Sequence, residues 1–446
     1  MDDIRVGHPS VNYIDPEFFS EGNRMVFQTM ENGVPSIWIA ELDPVNGTLA
    51  SITGRDVLVD SNVATLGPTA QTNNGPEWGL DASGEAVFYS KEDAGGIVQY
   101  WRATKLSGSS VLRTQLTHVP SPNGEGAIQG VVRQDALLPH TMFYYRYSVC
   151  PECAGINRWA HENDADAVHT LQYFNAGAFA PSFIPGTEDI AFSRYTSQNT
   201  SEVYRLHTAT DTYEQISGEP GDSKSSVIAF HAPEYGNELM YAYVRDKRDL
   251  VILRDDGSGY KPFATLDPAD SLHPYMYSPE IFQVNGTTYF AVLMQDTVDY
   301  LTLNRGAIYV LGFGNDPANR LARRIDLGTA AKRWEPEVYI GQEEVFVFFN
   351  TANQLRRART GIRPLPTAIH DNGIAPEAAL QVFPNPTNDV VSINGVKGLV
   401  RIHDLLGREV WRGTSPGSVT ADLASLPQGV YWVRAGEKTR ILIRTR

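Results

Sequence analysis

Asp15-Pro16-Glu17-Phe18-Phe19-Ser20-Glu21-Gly22-Asn23-Arg24-Met25-Val26-Phe27 is the stretch that decides the fold. It reads as a short strand, a Gly/Asn turn and an apolar strand, and a third strand follows at Ser36-Ile37-Trp38-Ile39-Ala40. The unit returns at Pro76-Glu77-Trp78 and at Pro181-Ser182-Phe183, each followed by a Gly turn and an apolar strand. It returns again at Pro233-Glu234-Tyr235, Pro279-Glu280-Ile281 and Pro336-Glu337-Val338, and a proline-free copy starts near Ile128 and runs into Met142-Phe143-Tyr144-Tyr145. About seven copies at a spacing of roughly 50 residues mean a β-propeller. The expected fold is all-β: a seven-bladed propeller (six-bladed if the irregular copy at 128–175 fuses with a neighbour), followed by a small Ig-like β-sandwich.

The last copy supplies only three strands, Pro336–Tyr339, Glu344–Phe349 and Gln354–Ala358. A ring left open exposes two bare sheet edges, so the segment Met1–Val11 is expected to add the fourth strand. The propeller is assigned to residues 1–359. Pro and Gly without period mark 360–378 as a linker. Residues 379–446 form the second domain, with alternating strands at Val390–Ile393, Leu399–Ile402, Glu409–Trp411, Val430–Arg434 and Arg440–Arg444.

The net charge of −15 argues against nucleic acid as a partner. It is unevenly spread. From Ala379 onward nine Lys and Arg face five Asp and Glu, which leaves 28 basic and 47 acidic residues, net −19, on the rest of the chain. The split suggests two domains with separate surfaces. No apolar run reaches 18 residues, so no transmembrane segment is read. Met1–Gly7 lacks a basic region followed by an apolar one, so no signal peptide is read there.

The tail resembles the type A sorting domain of the type IX secretion system of Bacteroidota. The matching residues are Val382-Phe383-Pro384-Asn385-Pro386, Ile402-His403-Asp404-Leu405-Leu406-Gly407-Arg408-Glu409-Val410, Gly429-Val430-Tyr431 and the basic ending Arg440–Arg446. The resemblance implies handling by type IX secretion machinery through residues 379–446 and a location outside the cell or on its outer surface. It also implies a Sec leader already removed. The first ~360 residues resemble TolB-like and WD40-like propellers, in which a Pro-acidic-aromatic-Ser-x-x-Gly unit opens each blade. Copies three and four depart from that pattern, and the resemblance predicts shape rather than activity.

Candidate functional residues follow from the repeat. Glu17, Glu77, Glu234, Glu280 and Glu337 recur on the strand expected to line the channel, where a ring of carboxylates would suit Ca²⁺ or a cationic group. The same recurrence suits hydrogen bonding at blade junctions. No cofactor is required by any motif. Just before each copy, at the presumed channel mouth, lie Tyr13 and Asp15; Asn73, Asn74 and Trp78; Phe230 and His231; Tyr275 and Tyr277; Arg333, Trp334 and Glu335. Aromatic faces beside Arg, Asn and His suit a carbohydrate, although aromatics at strand starts also pack between blades. Elimination chemistry would use His231 as base, Tyr275 or Tyr277 as acid and Arg333 against a uronate carboxylate. Cys150-Pro151-Glu152-Cys153 reads as a disulfide-bonded hairpin tip, because His161 and His169 lie too far along a flat hairpin to complete a zinc site. Asp270-Ser271-Leu272 and Asp296-Thr297-Val298 resemble Bacteroidota O-glycosylation signals.

No serine elbow, phosphate loop or HExxH motif is present. The first reading is therefore an exported binding platform for a glycan, peptide or envelope partner. A secreted polysaccharide lyase or hydrolase is the second, and a structural component of a surface layer or filament the third.

Overall fold

The structure is a computed structural model. It describes residues 3–19, 22–31, 33–63, 75–81, 84–96, 98–107, 110–116, 126–131, 142–147, 155–159, 178–197, 200–207, 209–210, 212–218, 223–298, 305–314, 320–327, 332–351, 354–365, 381–383, 385, 387, 389–394, 398–404, 408–415, 418–435 and 438–445. The chain divides into two compact units, Met1–Thr367 and Ala368–Arg446.

After a short β1 (Asp3–Arg5), the first unit is a series of antiparallel sheets taken in chain order. The first holds β2 (Ile14–Phe18), β3 (Arg24–Glu31), β4 (Val34–Glu41) and β5 (Val57–Ser61). The second holds β6 (Glu77–Asp81), β7 (Gly84–Glu92), β8 (Val98–Thr104) and β9 (Leu112–Gln115). The irregular copy gives β10 (Gly126–Val131), β11 (Met142–Tyr147) and β12 (Gly155–Trp159). Next come β13 (Ala178–Phe183), β14 (Ile190–Ser197), β15 (Thr200–His207) and β16 (Thr212–Gln215), then β17 (Lys224–Ala232), β18 (Glu238–Arg245), β19 (Asp249–Asp255) and β20 (Tyr260–Leu266). The sixth holds β21 (Tyr275–Val284), β22 (Thr287–Gln295), β23 (Gly306–Gly312) and β24 (Ala322–Arg324). The last holds β25 (Trp334–Ile340), β26 (Val345–Thr351) and β27 (Gln354–Arg359), and β1 pairs with β27 as its fourth strand.

The N-terminal strand thus closes the last sheet, as bare edges demand. Asp3 fastens it: its carboxylate meets Arg356 Nε at 2.5 Å and accepts the Leu327 N–H at 3.2 Å. Neighbouring sheets touch in succession (β2 with β6, β10 with β7 and β8, β13 with β10 and β12, β17 with β13, β21 with β17, β25 with β21, and β2 with β25), so the sheets form a closed ring. Between sheets lie apolar layers. Phe18, Tyr339, Phe346 and Phe348 fill the seam where the last sheet meets the first.

One local device recurs. In β2, β13, β17, β21 and β25 the register slips at the same place: between Ile14 and Glu17, Phe179 and Ser182, Ser225 and Ile228, Tyr277 and Glu280, and Trp334 and Glu337. The slip carries Asp15, Ala180, Ser226 and Ser278 at φ of 51°, 47°, 53° and 41°. Such left-handed non-glycine residues cost roughly 1–2 kcal/mol each. A bulge of this kind re-aims the residue that follows it.

The device also corrects the fifth copy of the repeat. Pro233-Glu234-Tyr235 does not open a blade: it is a 3₁₀ turn past the end of β17. The equivalent of Pro279-Glu280 is Val227-Ile228, which the sequence pattern missed for want of proline and glutamate.

The second unit contains β28 (Gln381–Phe383), β29 (Val390–Asn394) and β32 (Ser418–Asp422) in one sheet. The other sheet is ordered β31 (Glu409–Ser415), β30 (Gly398–His403), β33 (Gly429–Ala435) and β34 (Lys438–Arg444). Val391, Ile393, Val400, Ile402, Tyr431, Val433 and Leu442 from both sheets share one buried core. Asn385 accepts the Ile443 N–H and donates to the Ile441 carbonyl, both at 2.8 Å, so the Pro-Asn-Pro motif ties down the final strand.

Candidate functional site

The bulge-following residues Glu280, Glu337 and Glu17 of β21, β25 and β2, together with Glu77 at the start of β6, come from four sheets in succession around the ring. The other described positions with described side chains are Ser182 and Ile228. The carboxylates therefore occupy one arc. Glu337 is buried at 9% exposure. Burial first, then the neighbouring Glu17, Glu280, Asp15 and Glu77 carboxylates, push the Glu337 carboxyl well above the ordinary glutamate range. Burial and the Asp15 charge push Glu280 up to about 8. Like charges that cannot all be hydrated cannot all ionise, so at neutral pH the arc holds protons.

The frame around the arc is backbone-made. Asp15 accepts the Gly75 N–H at 2.5 Å, and a Cβ at position 75 would lie 2.2 Å from that same oxygen. Trp78 donates its indole N–H to the Glu17 carbonyl at 3.0 Å. Among the described residues no three His, Cys, Asp or Glu groups are placed to share a metal ion, so the arc does not present the shell of 6–8 oxygens that Ca²⁺ takes. Glu234, expected in the ring, is elsewhere: it accepts the Thr288 N–H at 2.8 Å and the Thr288 hydroxyl at 2.9 Å, joining the fifth and sixth sheets.

Three positions before Glu280 and Glu337 stand Tyr277 and Trp334, equivalent in register on adjacent first strands. Each carries a lysine over its ring: Lys247 at 5.7 Å from Tyr277, and Lys332 at 4.0 Å from Trp334. Two residues upstream, Tyr275 carries Arg248 at 5.6 Å. Lys247 and Arg248 belong to the turn between β18 and β19, whose Lys247 carbonyl accepts the Met276 N–H at 2.7 Å. Tyr277 and Lys247 both donate to the Val298 carbonyl, at 2.6 and 3.2 Å. The fifth, sixth and seventh sheets thus join aromatic rings to cations at the end of the ring where first strands begin. Lys247, Arg248 and Lys332 were not singled out by sequence, since no period or motif marks them.

The other candidates separate. His231 lies at the far end of β17, its ring nitrogen 3.0 Å from the Asn237 carbonyl. Its own carbonyl accepts from Gln283, six positions after Tyr277 on β21, which sets His231 roughly 15–20 Å from Tyr277. Arg333 is 2% exposed, ion-paired with Asp326 at 2.6 Å and donating to the Gly306 carbonyl at 2.6 Å. The base, acid and uronate clamp of an elimination are therefore not gathered at one point. Tyr13 and Trp78, each 1% exposed, and Phe230 are core residues; Tyr13 packs on Phe27 at 4.8 Å and donates to the Thr53 carbonyl. Aromatics at these strand starts fill the seams between sheets. Asn73, Asn74, Cys150, Cys153, His161 and His169 lie outside the described residues, as does the Glu335 side chain.

Residues 381–445 match the secretion system C-terminal sorting domain family. No curated protein matches the chain. Among solved structures, an oligogalacturonate lyase from Vibrio parahaemolyticus is 12% identical, covering 80% of this chain and 93% of that one at a TM-score of 0.50. A puromycin hydrolase is 12% identical at a TM-score of 0.52; 87% of this chain aligns, but only 59% of the hydrolase is spanned. PorZ, a surface component of the type-IX secretion system of Porphyromonas gingivalis, is 15% identical, covering 95% of this chain and 68% of that one at a TM-score of 0.34. At these identities the first two likenesses show fold alone, and the third carries no structural argument. The structural neighbours include β-propellers, and the C-terminal unit is a type IX secretion sorting domain, which implies export to the cell surface or beyond. No helix among the described residues is long and apolar enough to cross a membrane.

Proposed function

We propose that the chain is an exported, non-catalytic binding protein: a seven-bladed propeller delivered by an Ig-like sorting domain, holding a glycan at the end of the ring where first strands begin. Residues 1–359 form the propeller, 360–378 the linker and 379–446 the sorting domain. The observation that carries the reading is the row of Tyr275, Tyr277 and Trp334, partly exposed side chains of two adjacent first strands. Flat amphipathic rings suit sugar faces, and cations beside them suit hydroxyls. The separation of His231 from Tyr277 and the burial of Arg333 support binding over elimination.

The test is a screen of the full chain against neutral and acidic polysaccharides. Calorimetry would follow binding, and ultraviolet absorbance of unsaturated uronate, together with reducing ends, would follow turnover. Saturable binding without either product is the expected result. Product formation abolished by Tyr277→Phe would overturn the non-catalytic reading.

A further inference from the structure

We infer that the ligand held on this face is an acidic polysaccharide, with Lys247, Arg248 and Lys332 receiving its anionic groups. The inference rests on the proposed binding role and adds the chemical class of the ligand. The first unit is strongly acidic, and four of its other cations that lie over aromatic rings, Arg24, Lys91, Arg254 and Arg333, are ion-paired with an internal carboxylate. Lys91 lies over Trp101 and is ion-paired with Asp60 at 2.8 Å; Arg254 lies over Phe263 and is ion-paired with Glu238 at 2.6 Å. Lys247, Arg248 and Lys332, like Arg320 over Phe313, have no carboxylate oxygen within 4.0 Å of their nitrogens among the described residues, and only these three share one end of the ring with a row of partly exposed aromatic side chains. Two acids close to the same turn and strand ends are engaged with other groups. Asp249 is paired with Arg245 at 2.6 Å, and Asp296 accepts the Arg305 backbone N–H at 3.3 Å.

A cation over a ring keeps its charge and is held in one place, which lowers the entropy lost when an anion arrives. The rings of Tyr277 and Trp334 stand at equivalent register on adjacent blades, and each has a lysine over it, Lys247 from the turn of the preceding sheet and Lys332 from two residues before Trp334. A repeating polymer with one anion per unit or per few units matches such a repeating receptor. Rings beside the charges favour a sugar over a polypeptide, since they offer a surface for the pyranose face.

The experiment titrates the full chain by calorimetry with polygalacturonate, a sulfated glycan, dextran and poly-glutamate, at low and high salt. Polygalacturonate or the sulfated glycan should bind, and binding should weaken as salt screens the charges. The triple variant Lys247→Ala, Arg248→Ala, Lys332→Ala should lose roughly 100-fold in affinity, a few-fold to tenfold per charged contact, with the melting temperature lowered by a few degrees at most because the heads are partly or fully exposed and their ring contacts are weak. Equal binding of dextran would overturn the acidic class while leaving a glycan platform standing. Poly-glutamate binding as tightly as the acidic glycans would show that charge alone is read and would overturn the polysaccharide. Silence with every polymer would overturn the binding role itself, and an unaffected triple variant would overturn these residues as the anion contacts.

Discussion

Replacing Glu280 by Gln tests whether the carboxylate arc is a site of stored charge conflict. Glu280 has an ordinary value of 4.5 and is pushed up to about 8 in the folded ring. Between those values the folded chain keeps a proton that the unfolded chain has released. Stability is therefore full below pH 4.5 and falls by about 1.4 kcal/mol per pH unit as pH rises toward 8. From pH 5 to pH 8 one such group would cost at most ~4 kcal/mol. Neighbouring Glu337, also raised, can take over part of the proton, so recovery of about 2 kcal/mol at pH 8 is the working figure for one substitution. Gln keeps the shape and removes the charge. Urea unfolding of the full chain at pH 5, 6.5 and 8, followed by tryptophan fluorescence, would read it. The wild type should lose urea resistance steadily across that range. The variant should match it at pH 5 and exceed it at pH 8, with a flatter slope. Identical pH slopes for the two proteins would refute the reasoning, because they would mean that Glu280 ionises freely in the folded state.

Other expectations follow from single contacts. Gly75→Ala would drive a methyl into the Asp15 carboxylate that its own N–H binds, and should cost roughly 2–4 kcal/mol in urea unfolding, with loss of that hydrogen bond and overpacking combined. Trp78→Phe removes the indole donor to Glu17 while keeping an aromatic body, so about 1–2 kcal/mol should be lost and the melting temperature should fall by a few degrees at most. Asp3→Ala leaves Arg356 and the Leu327 N–H without their partner; faster limited proteolysis near the N-terminus, rather than global unfolding, is the expected signature. Asn385→Ala should lower the stability of the C-terminal unit by ~1–2 kcal/mol while leaving the transition of the first unit in place, as seen by calorimetric deconvolution.

Much of the architecture was legible because each blade must repeat the same chemistry. Proline before the glutamate that follows the register slip, a Gly or Asn turn and an apolar second strand recur at Asp15–Phe27, Ser278–Phe290 and Glu335–Phe346 since these blades bury the same seams. The three-stranded final copy foretold that the N-terminus would complete it, because an unpaired edge is costly, and β1 does so on β27. The sorting tail was legible for a different reason: its motifs are local, and Asn385 acts on a strand through its own two hydrogen bonds.

What sequence could not decide was which member of each repeat faces what. Pro233-Glu234 imitates the blade-opening unit, yet β17 has already run its course by then and its bulge sits at Ser226, where neither proline nor glutamate advertises it. Trp78 and Tyr13 read equally well as ligand platforms or as seam packing, and only three-dimensional neighbours place them in the core. The residues that give the leading face its charge, Lys247 and Arg248, come from a turn in one blade and reach rings in the next. Such a pairing has no sequence period. By itself the sequence determined the repeat, the ring and the export address, since these depend on periodicity, edge pairing and short motifs. The tertiary structure alone decided that Glu234 stands apart from the other four glutamates and that Lys247 and Arg248 meet Tyr277 and Tyr275, because both depend on the order in which the ring brings distant strands side by side.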